Sequence, residues 1–423
     1  MKRTKKSILS RVFGYSEFRG GQEKIIDTLL SGRDVFCVMP TGAGKSICYQ
    51  IPALLSSGVT LVISPLISLM QDQVEKLKRL GVKAACINST LPFEEYKKII
   101  EGMRKGNYKI VYVAPERLET EKFTFICSQT KISLLIVDEA HCVFQWGKDF
   151  RPSYLRIAKF LAAIEQRPPI GAFTATATDE IRAEVIRALG LVSPVCVTTG
   201  FDRPNLRFEV RSPKSKGREL YKIVSERKGK SGIVYCPTRA IVEDICKTLR
   251  RKGFSSTRYH AGLSKEERES NQNDFLFGRK SIMVATNAFG MGIDKADVGY
   301  VVHYAMPSSI ENYYQEAGRA GRNGESADCI ILYHPDDVEL HQYFITKSYP
   351  NSDLSPETVK GHLERDLALL RKMQEYCETD TCLRAFILHY FGEECADRCE
   401  NCSGCSEDTK TERKPFWKRI FGK

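Results

Sequence analysis

A chain of 423 residues with 42% hydrophobic and 27% charged residues has the make-up of a water-soluble globular protein of two or three domains. No apolar run approaches the roughly 18 residues that cross a bilayer, and the basic stretch 1–11 is not followed by an apolar segment of leader length. The formal net charge is +12, of which residues 1–11 and 409–423 supply ten, so the middle of the chain is nearly balanced and charge alone leaves nucleic-acid binding open.

In chain order, the first chemistry-bearing stretch is Val35-Phe36-Cys37-Val38-Met39-Pro40-Thr41-Gly42-Ala43-Gly44-Lys45-Ser46. A β-branched run stops at Pro40, a glycine turn follows, and Lys45-Ser46 opens a helix. Gly42 and Gly44 allow backbone N–H groups to turn inward on phosphate oxygens at a helix N-terminus, although the first glycine of the G-x-x-x-x-G-K-[ST] pattern is lacking. In that reading Lys45 reaches the β/γ-phosphates and Ser46 holds Mg²⁺. An ordinary strand–turn–helix is the bland alternative.

Short continuous apolar runs alternate with helical patterns from residue 11 to about 333. Expected strands are 35–39, 60–64, 84–87, 110–113, 134–137 and 171–174, then 206–210, 232–235, 257–259, 282–285, 300–303 and 329–333. Continuous hydrophobicity means that both faces are covered, as in parallel α/β sheets. The expected fold is α/β: two tandem parallel-sheet domains, 1–203 and 204–345, joined near 199–205, then a helical hairpin and zinc-binding module, 346–408, and a basic aromatic tail, 409–423. Ser355-Pro356 reads as an N-cap followed by Pro in the first turn, and Leu363, Leu367, Leu370 and Met373 mark one helical face. The tail carries Phe416, Trp417, Ile420 and Phe421 and reads either as an amphipathic binding helix or as a solvated end.

Leu134-Leu135-Ile136-Val137-Asp138-Glu139-Ala140-His141 sets two carboxylates at the end of a buried strand, on the side where an α/β sheet binds ligands. Asp138 there can hold Mg²⁺ and Glu139 can activate a water. Of fifteen cysteines, nine are scattered as in a reducing compartment. Cys382, Cys399, Cys402 and Cys405 form a C-x16-C-x2-C-x2-C array whose thiolates suit tetrahedral Zn²⁺. Cys377 and Cys395 are extra.

The Asp138–His141 motif together with the 41–46 loop resembles the superfamily-two helicases. Phe18–Gln22, Ser64–Met70, Phe173–Thr178, Gly290–Asp294, Gln315–Arg322 and the cysteine spacing narrow the resemblance to the RecQ family of DNA helicases, over roughly residues 13–405. The resemblance implies that Tyr15, Arg19 and Gln22 recognise adenine, that Thr41, Gly42, Ala43, Gly44, Lys45, Ser46, Asp138, Asp294 and Gln315 bind the nucleotide, and that Lys45, Asp138, Glu139, Arg319 and Arg322 are catalytic. Arg322 corresponds to an arginine finger, so ATP is expected in a cleft between the two sheets' domains, closing on the nucleotide. It implies an aromatic-rich loop in which Trp146 and Phe150 stack on unpaired bases and Arg151 meets phosphate. Lys148 and Phe144 depart from the usual residues of that loop. Pro65, Gln71, Thr238, His260, Thr286 and Asn287 are the implied DNA contacts. The implied cofactors are ATP, Mg²⁺ and Zn²⁺, and the implied substrates single-stranded and branched DNA.

The resulting expectation is a cytoplasmic (nucleoid-associated or, in a eukaryote, nuclear) monomeric 3′→5′ helicase of repair and recombination, with single-strand-binding or repair proteins as partners. Because the sequence stops about eighteen residues after Cys405, a short form without winged-helix and HRDC domains is expected, with weak unwinding or a preference for forks. An RNA-directed relative and a non-catalytic annealing scaffold are the rival readings.

Overall fold

The computed structural model describes residues 4–40, 42–65, 67–89, 91–143, 156–290, 295–349 and 355–405. Thr41, Phe144, Trp146, Lys148, Phe150, Arg151, Asp294 and the tail 409–423 lie outside the described residues. Backbone contacts divide the chain into two units, Met1–Gly200 and Phe201 onward.

Unit 1 is built on a seven-stranded parallel sheet: β1 Val35–Val38, β2 Val59–Ile63, β3 Ala84–Ile87, β4 Ile110–Val113, β5 Ile132–Val137, β6 Ile170–Thr174 and β7 Val195–Thr198. The spatial order is β3-β4-β2-β5-β6-β1-β7. Every residue of β1, β2, β4 and β6 is buried, which is what two-sided covering by helices requires and why these strands read as unbroken apolar runs. One strand was not expected from the sequence. β7 pairs with β1 in register Val35↔Val195 through Val38↔Thr198, but at the sheet edge only Val197 is buried, so its pattern resembles a linker.

Unit 2 holds a six-stranded parallel sheet: β8 Leu206–Arg211, β9 Ser231–Tyr235, β10 Ser256–Tyr259, β11 Ile282–Ala285, β12 Val298–His303 and β13 Ala327–Leu332, in the order β10-β11-β9-β12-β13-β8. After β13 the described residues form three helices, Asp336–Ser348, Pro356–Glu378 and Leu383–Tyr390. The long middle helix starts where Ser355 Oγ accepts the Thr358 N–H at 3.3 Å, with Pro356 in its first turn, where a missing N–H costs nothing. Leu370 and Met373 are buried, while Leu363 and Leu367 are half-covered. No helix among the described residues is long and apolar enough to cross a membrane.

Candidate nucleotide site and zinc centre

The loop after β1 turns on two glycines in the left-handed region, Gly42 (φ 83°) and Gly44 (φ 86°), and Gly44 is the N-cap of the helix Lys45–Leu55. Only glycine adopts this conformation without strain. The neighbouring segment braces the loop. Gln22 Nε2 donates to the carbonyls of Ala43 and Gly44 at 3.3 and 3.2 Å, Arg19 Nη1 donates to Gly42 O at 3.1 Å, and the Arg19 N–H donates back to Gln22 Oε1 at 2.9 Å. Gln22 and Arg19, read from the sequence as adenine-binding, are thus joined to the 42–44 turn itself. Tyr15 is half exposed nearby in sequence. A Cβ on Gly44 would stand 2.5 Å from Gln22 Nε2. Gly44→Ala combines that clash with a left-handed φ, a penalty of about 1–3 kcal/mol. It is therefore expected to weaken nucleotide binding about tenfold or more, as read by titration with a fluorescent ATP analogue.

β5 delivers Asp138 and Glu139 to the same edge of the sheet. Glu139 has φ 48°, a left-handed backbone unusual for a residue with a side chain, and its N–H donates to Asp138 Oδ1 at 3.1 Å. Glu139 Oε1 lies 3.8 Å from Lys45 Nζ, and both side chains are only 13% exposed. Lys45 Nζ makes no hydrogen bond among the described residues. A buried ammonium beyond hydrogen-bond reach of its counter-ion needs a further anion, and nucleotide phosphate fits that need. Burial, then the adjacent Glu139, pushes the Asp138 carboxyl up to about 7, with Lys45 opposing the rise. A carboxyl so disfavoured as a lone anion fits a cation ligand. Asp138 and the Ser46 hydroxyl are the residues that would hold Mg²⁺, whose charge would shield phosphate oxygens.

His141, which the sequence reading left without a role of its own, joins the carboxylates to β6. Its Nδ1 lies 2.8 Å from Thr174 Oγ1 and 3.5 Å from Glu139 Oε2, and Thr174 Oγ1 donates to Thr176 O at 2.9 Å. The one signal available in sequence was the Thr-Ala-Thr-Ala-Thr run after an apolar strand.

On unit 2, Arg319 is buried and Arg322 half-buried, on the turn after the helix Ile310–Ala317 that carries Gln315. Of the other sequence-expected contacts, Gln71, Thr286 and Asn287 are surface or half-exposed and Pro65 is buried. Thr238 caps the helix Arg239–Arg251 by accepting the Ile241 N–H, and both ring nitrogens of His260 are engaged, by Gly262 N–H and by Glu243. These two positions shape their loops more than they present free polar atoms.

The four cysteines converge. The Sγ atoms of Cys382, Cys399, Cys402 and Cys405 all lie within 4.8 Å of one another. Sulfurs at about 2.3 Å from one tetrahedral Zn²⁺ sit about 3.8 Å apart, and Cys382 and Cys402 are separated by 3.8 Å. Cys382 also caps the helix Leu383–Tyr390, its sulfur accepting the Ala385 N–H. Burial works against ionising Cys405, yet a backbone hydrogen bond at Cys399 and the neighbouring thiols bring it down to about 7. Cys377 and Cys395 stand outside this group, the latter 3.6 Å from His389 Nε2. The cluster is sewn to the sheet: Ser403 N–H donates to Phe208 O at 3.0 Å, Val210 N–H to Ser403 Oγ at 3.2 Å, and Arg384 binds Asp202 and the carbonyls of Arg203 and Leu206.

Comparison with known proteins matches residues 19–183 to the DEAD/DEAH box helicase family, 215–324 to the helicase conserved C-terminal domain and 335–406 to the RecQ zinc-binding family. The ATP-dependent DNA helicase RecQ of Bacillus subtilis is 42% identical over 402 residues, 95% of this chain and 66% of that protein. A relative from Acanthamoeba polyphaga mimivirus, whose name specifies an RNA helicase, is 38% identical over 95% of this chain and 71% of its own length. The chain belongs to the RecQ family.

RecQ membership brings ATP, Mg²⁺ and Zn²⁺ as cofactors. The RecQ of Pasteurella multocida is 43% identical over 97% of this chain and 63% of that protein, so the chain spans just under two thirds of these bacterial relatives. Among solved structures, the helicase MrfA bound to DNA superposes with a TM-score of 0.68 at 21% identity, covering 93% of this chain and 59% of that one. Dbp5 of S. cerevisiae bound to RNA gives 0.65 at 16% identity, covering 85% and 97%. At these identities the likeness is one of fold.

Proposed function

We propose that this chain is a DNA-stimulated ATPase that translocates 3′→5′ on single-stranded DNA and unwinds or remodels duplex, fork and recombination intermediates. The observation that carries the reading is the buried Lys45 ammonium, set against Glu139 on a glycine turn braced by Gln22 and Arg19 in a chain of RecQ type. In this reading Lys45 and the loop N–H groups bind phosphate, Glu139 takes a proton from the attacking water, and Arg322 and Arg319 stabilise charge developing on the phosphoryl group. In the same reading Trp146 and Phe150 stack on unpaired bases and Arg151 meets phosphate. Single-stranded and branched DNA are the proposed partners, joined by single-strand-binding or repair proteins, with the chain acting as a monomer in the cytoplasm or on the nucleoid.

RNA is the second reading, favoured by the name of the mimivirus relative alone, whereas the bacterial relatives are named for DNA. Both are tested by one comparison. ATP hydrolysis is measured with matched single-stranded DNA and RNA, and unwinding with 3′-tailed and 5′-tailed duplexes. Stimulation by DNA at least tenfold above RNA, with unwinding of the 3′-tailed substrate, is the expected result. Equal stimulation by RNA, or unwinding confined to the 5′-tailed duplex, would overturn it.

A further inference from the structure

The helix Ile310–Ala317 leads into the turn that carries Arg319 and Arg322, and its covered face is joined to the zinc-bearing hairpin by side chains that the phosphate chemistry leaves unused. Tyr313 is fully buried and packs on Tyr376 of the helix Pro356–Glu378, ring centroids 5.3 Å apart. Tyr376 in turn meets Phe386 at 5.6 Å, one helical turn beyond the zinc-cluster residue Cys382. A second tie runs from Tyr390, whose hydroxyl donates to Glu311 Oε1 at 2.6 Å.

On its other side Tyr313 stands edge-on to His303, with centroids 5.1 Å apart. The His303 side chain is 2% exposed; its Nε2 lies 2.9 Å from Glu316 Oε2, and its ring stacks on Tyr235 at 5.4 Å and 19°. The Tyr235 hydroxyl donates to Phe289 O at 2.7 Å, next to Gly290, where an added Cβ would stand 3.1 Å from Arg319 Nη2. The Arg319 N–H closes the circuit by donating to Glu316 O at 3.2 Å. The Glu316 carboxylate is largely covered and needs a partner. His303 supplies one, its Nε2 2.9 Å from Glu316 Oε2.

We propose that His303 and Tyr313 are positioning residues that hold Glu316, and with it the arginine turn 319–322, in register with the zinc-bearing hairpin. The inference rests on the reading of this chain as an ATPase that uses those arginines. Neither residue touches the nucleotide in this scheme. Packed aromatic chains of this kind have few alternative arrangements, so a change in the hairpin reaches the turn as a discrete displacement.

The test uses the full chain with His303→Leu, which removes the Glu316 partner, His303→Gln, whose amide can still donate to Glu316, and Tyr376→Leu, which cuts the tie to the hairpin. Per zinc-loaded folded molecule, His303→Leu is expected to lower kcat for DNA-stimulated ATP hydrolysis about tenfold with KM for ATP within twofold. His303→Gln should recover most of the loss. A purely structural role would lower the melting temperature of both His303 variants and leave kcat per folded molecule unchanged.

Backbone hydrogen exchange over residues 316–320 gives a readout independent of turnover. Exchange there at least threefold faster in His303→Leu and Tyr376→Leu is expected. Unaltered exchange in both, or a kcat within twofold of wild type for His303→Leu while Lys45→Ala is inactive, would overturn the positioning role. Wild-type turnover that does not depend on Lys45 would instead overturn the ATPase reading, with the exchange measurement still deciding whether His303 and Tyr376 hold the turn.

Discussion

Lys45→Ala is expected to lower ATP turnover by at least about a hundredfold, the loss that follows removal of one preorganised charge from a phosphoryl-transfer or acyl-transfer site. The ammonium is buried, 3.8 Å from Glu139 Oε1, and makes no hydrogen bond among the described residues. Its position is therefore costly unless an anion is delivered to it. Alanine takes away the proposed phosphate contact and also a cation that opposes the rise of the Asp138 carboxyl. With Asp138 already at about 7, a further rise leaves it protonated at neutral pH and less able to hold Mg²⁺. The sign follows from the direction of the shift: the carboxylate form, which Mg²⁺ needs, is lost as pH falls through about 7. Steady-state ATPase assays at pH 6.5 to 8.5 over a Mg²⁺ titration would show both effects. The wild type should need more Mg²⁺ at the acid end, and the variant should stay inactive throughout. Turnover by Lys45→Ala close to wild type would remove the basis of the proposed chemistry, whereas its zinc content should remain one per chain.

Loss of zinc is the second large effect. Cys402→Ser, or prolonged treatment with a strong chelator, is expected to reduce bound zinc from about one per chain to well below half. It should also lower the melting temperature of the second unit by more than about 5 °C. Apparent zinc binding in small modules is about 10–16 kcal/mol. In a unit of about 200 residues each kcal/mol is worth roughly 2–4 °C, so losing even a quarter of the smaller figure is easily read. The damage should not stay at the cysteines. Cys402 pairs with Phe208 as an isolated bridge, and Ser403 exchanges hydrogen bonds with Phe208 and Val210 on the edge strand β8. The amide of Val210 is expected to lose exchange protection when zinc is removed. A protein that kept its zinc as Cys402→Ser, or melted unchanged without metal, would rule out the Cys382–Cys399–Cys402–Cys405 centre.

Much of the site was legible in sequence because its chemistry is local. A glycine turn between a buried strand and a helix, two acids at the end of a strand, and thiols at a short spacing are each specified within a dozen residues. The physics that selects them is backbone conformation, burial and ligand number. The same reasoning found twelve of the thirteen described strands, the clearest being those covered on both faces, such as β1, β2, β4 and β6, which are buried throughout. It missed β7, whose edge position leaves Cys196 and Thr198 exposed and removes the pattern.

What no stretch could announce alone is what depends on residues far apart in the chain. Gln22 reads as an adenine contact by resemblance, but only the approach of its helix to the loop shows that its amide spends its donors on Ala43 and Gly44. His141 meets Thr174 across 33 positions, and Tyr313 meets Tyr376 across the strand β13 and the helix Asp336–Ser348. Residue types and their local spacing determined that this chain has a glycine turn opening onto Lys45 and Ser46, an acidic pair and a four-cysteine set. The packing of distant elements decided which side chains brace them, because a hydrogen bond or ring contact between remote positions exists only once the sheets have brought their ends together.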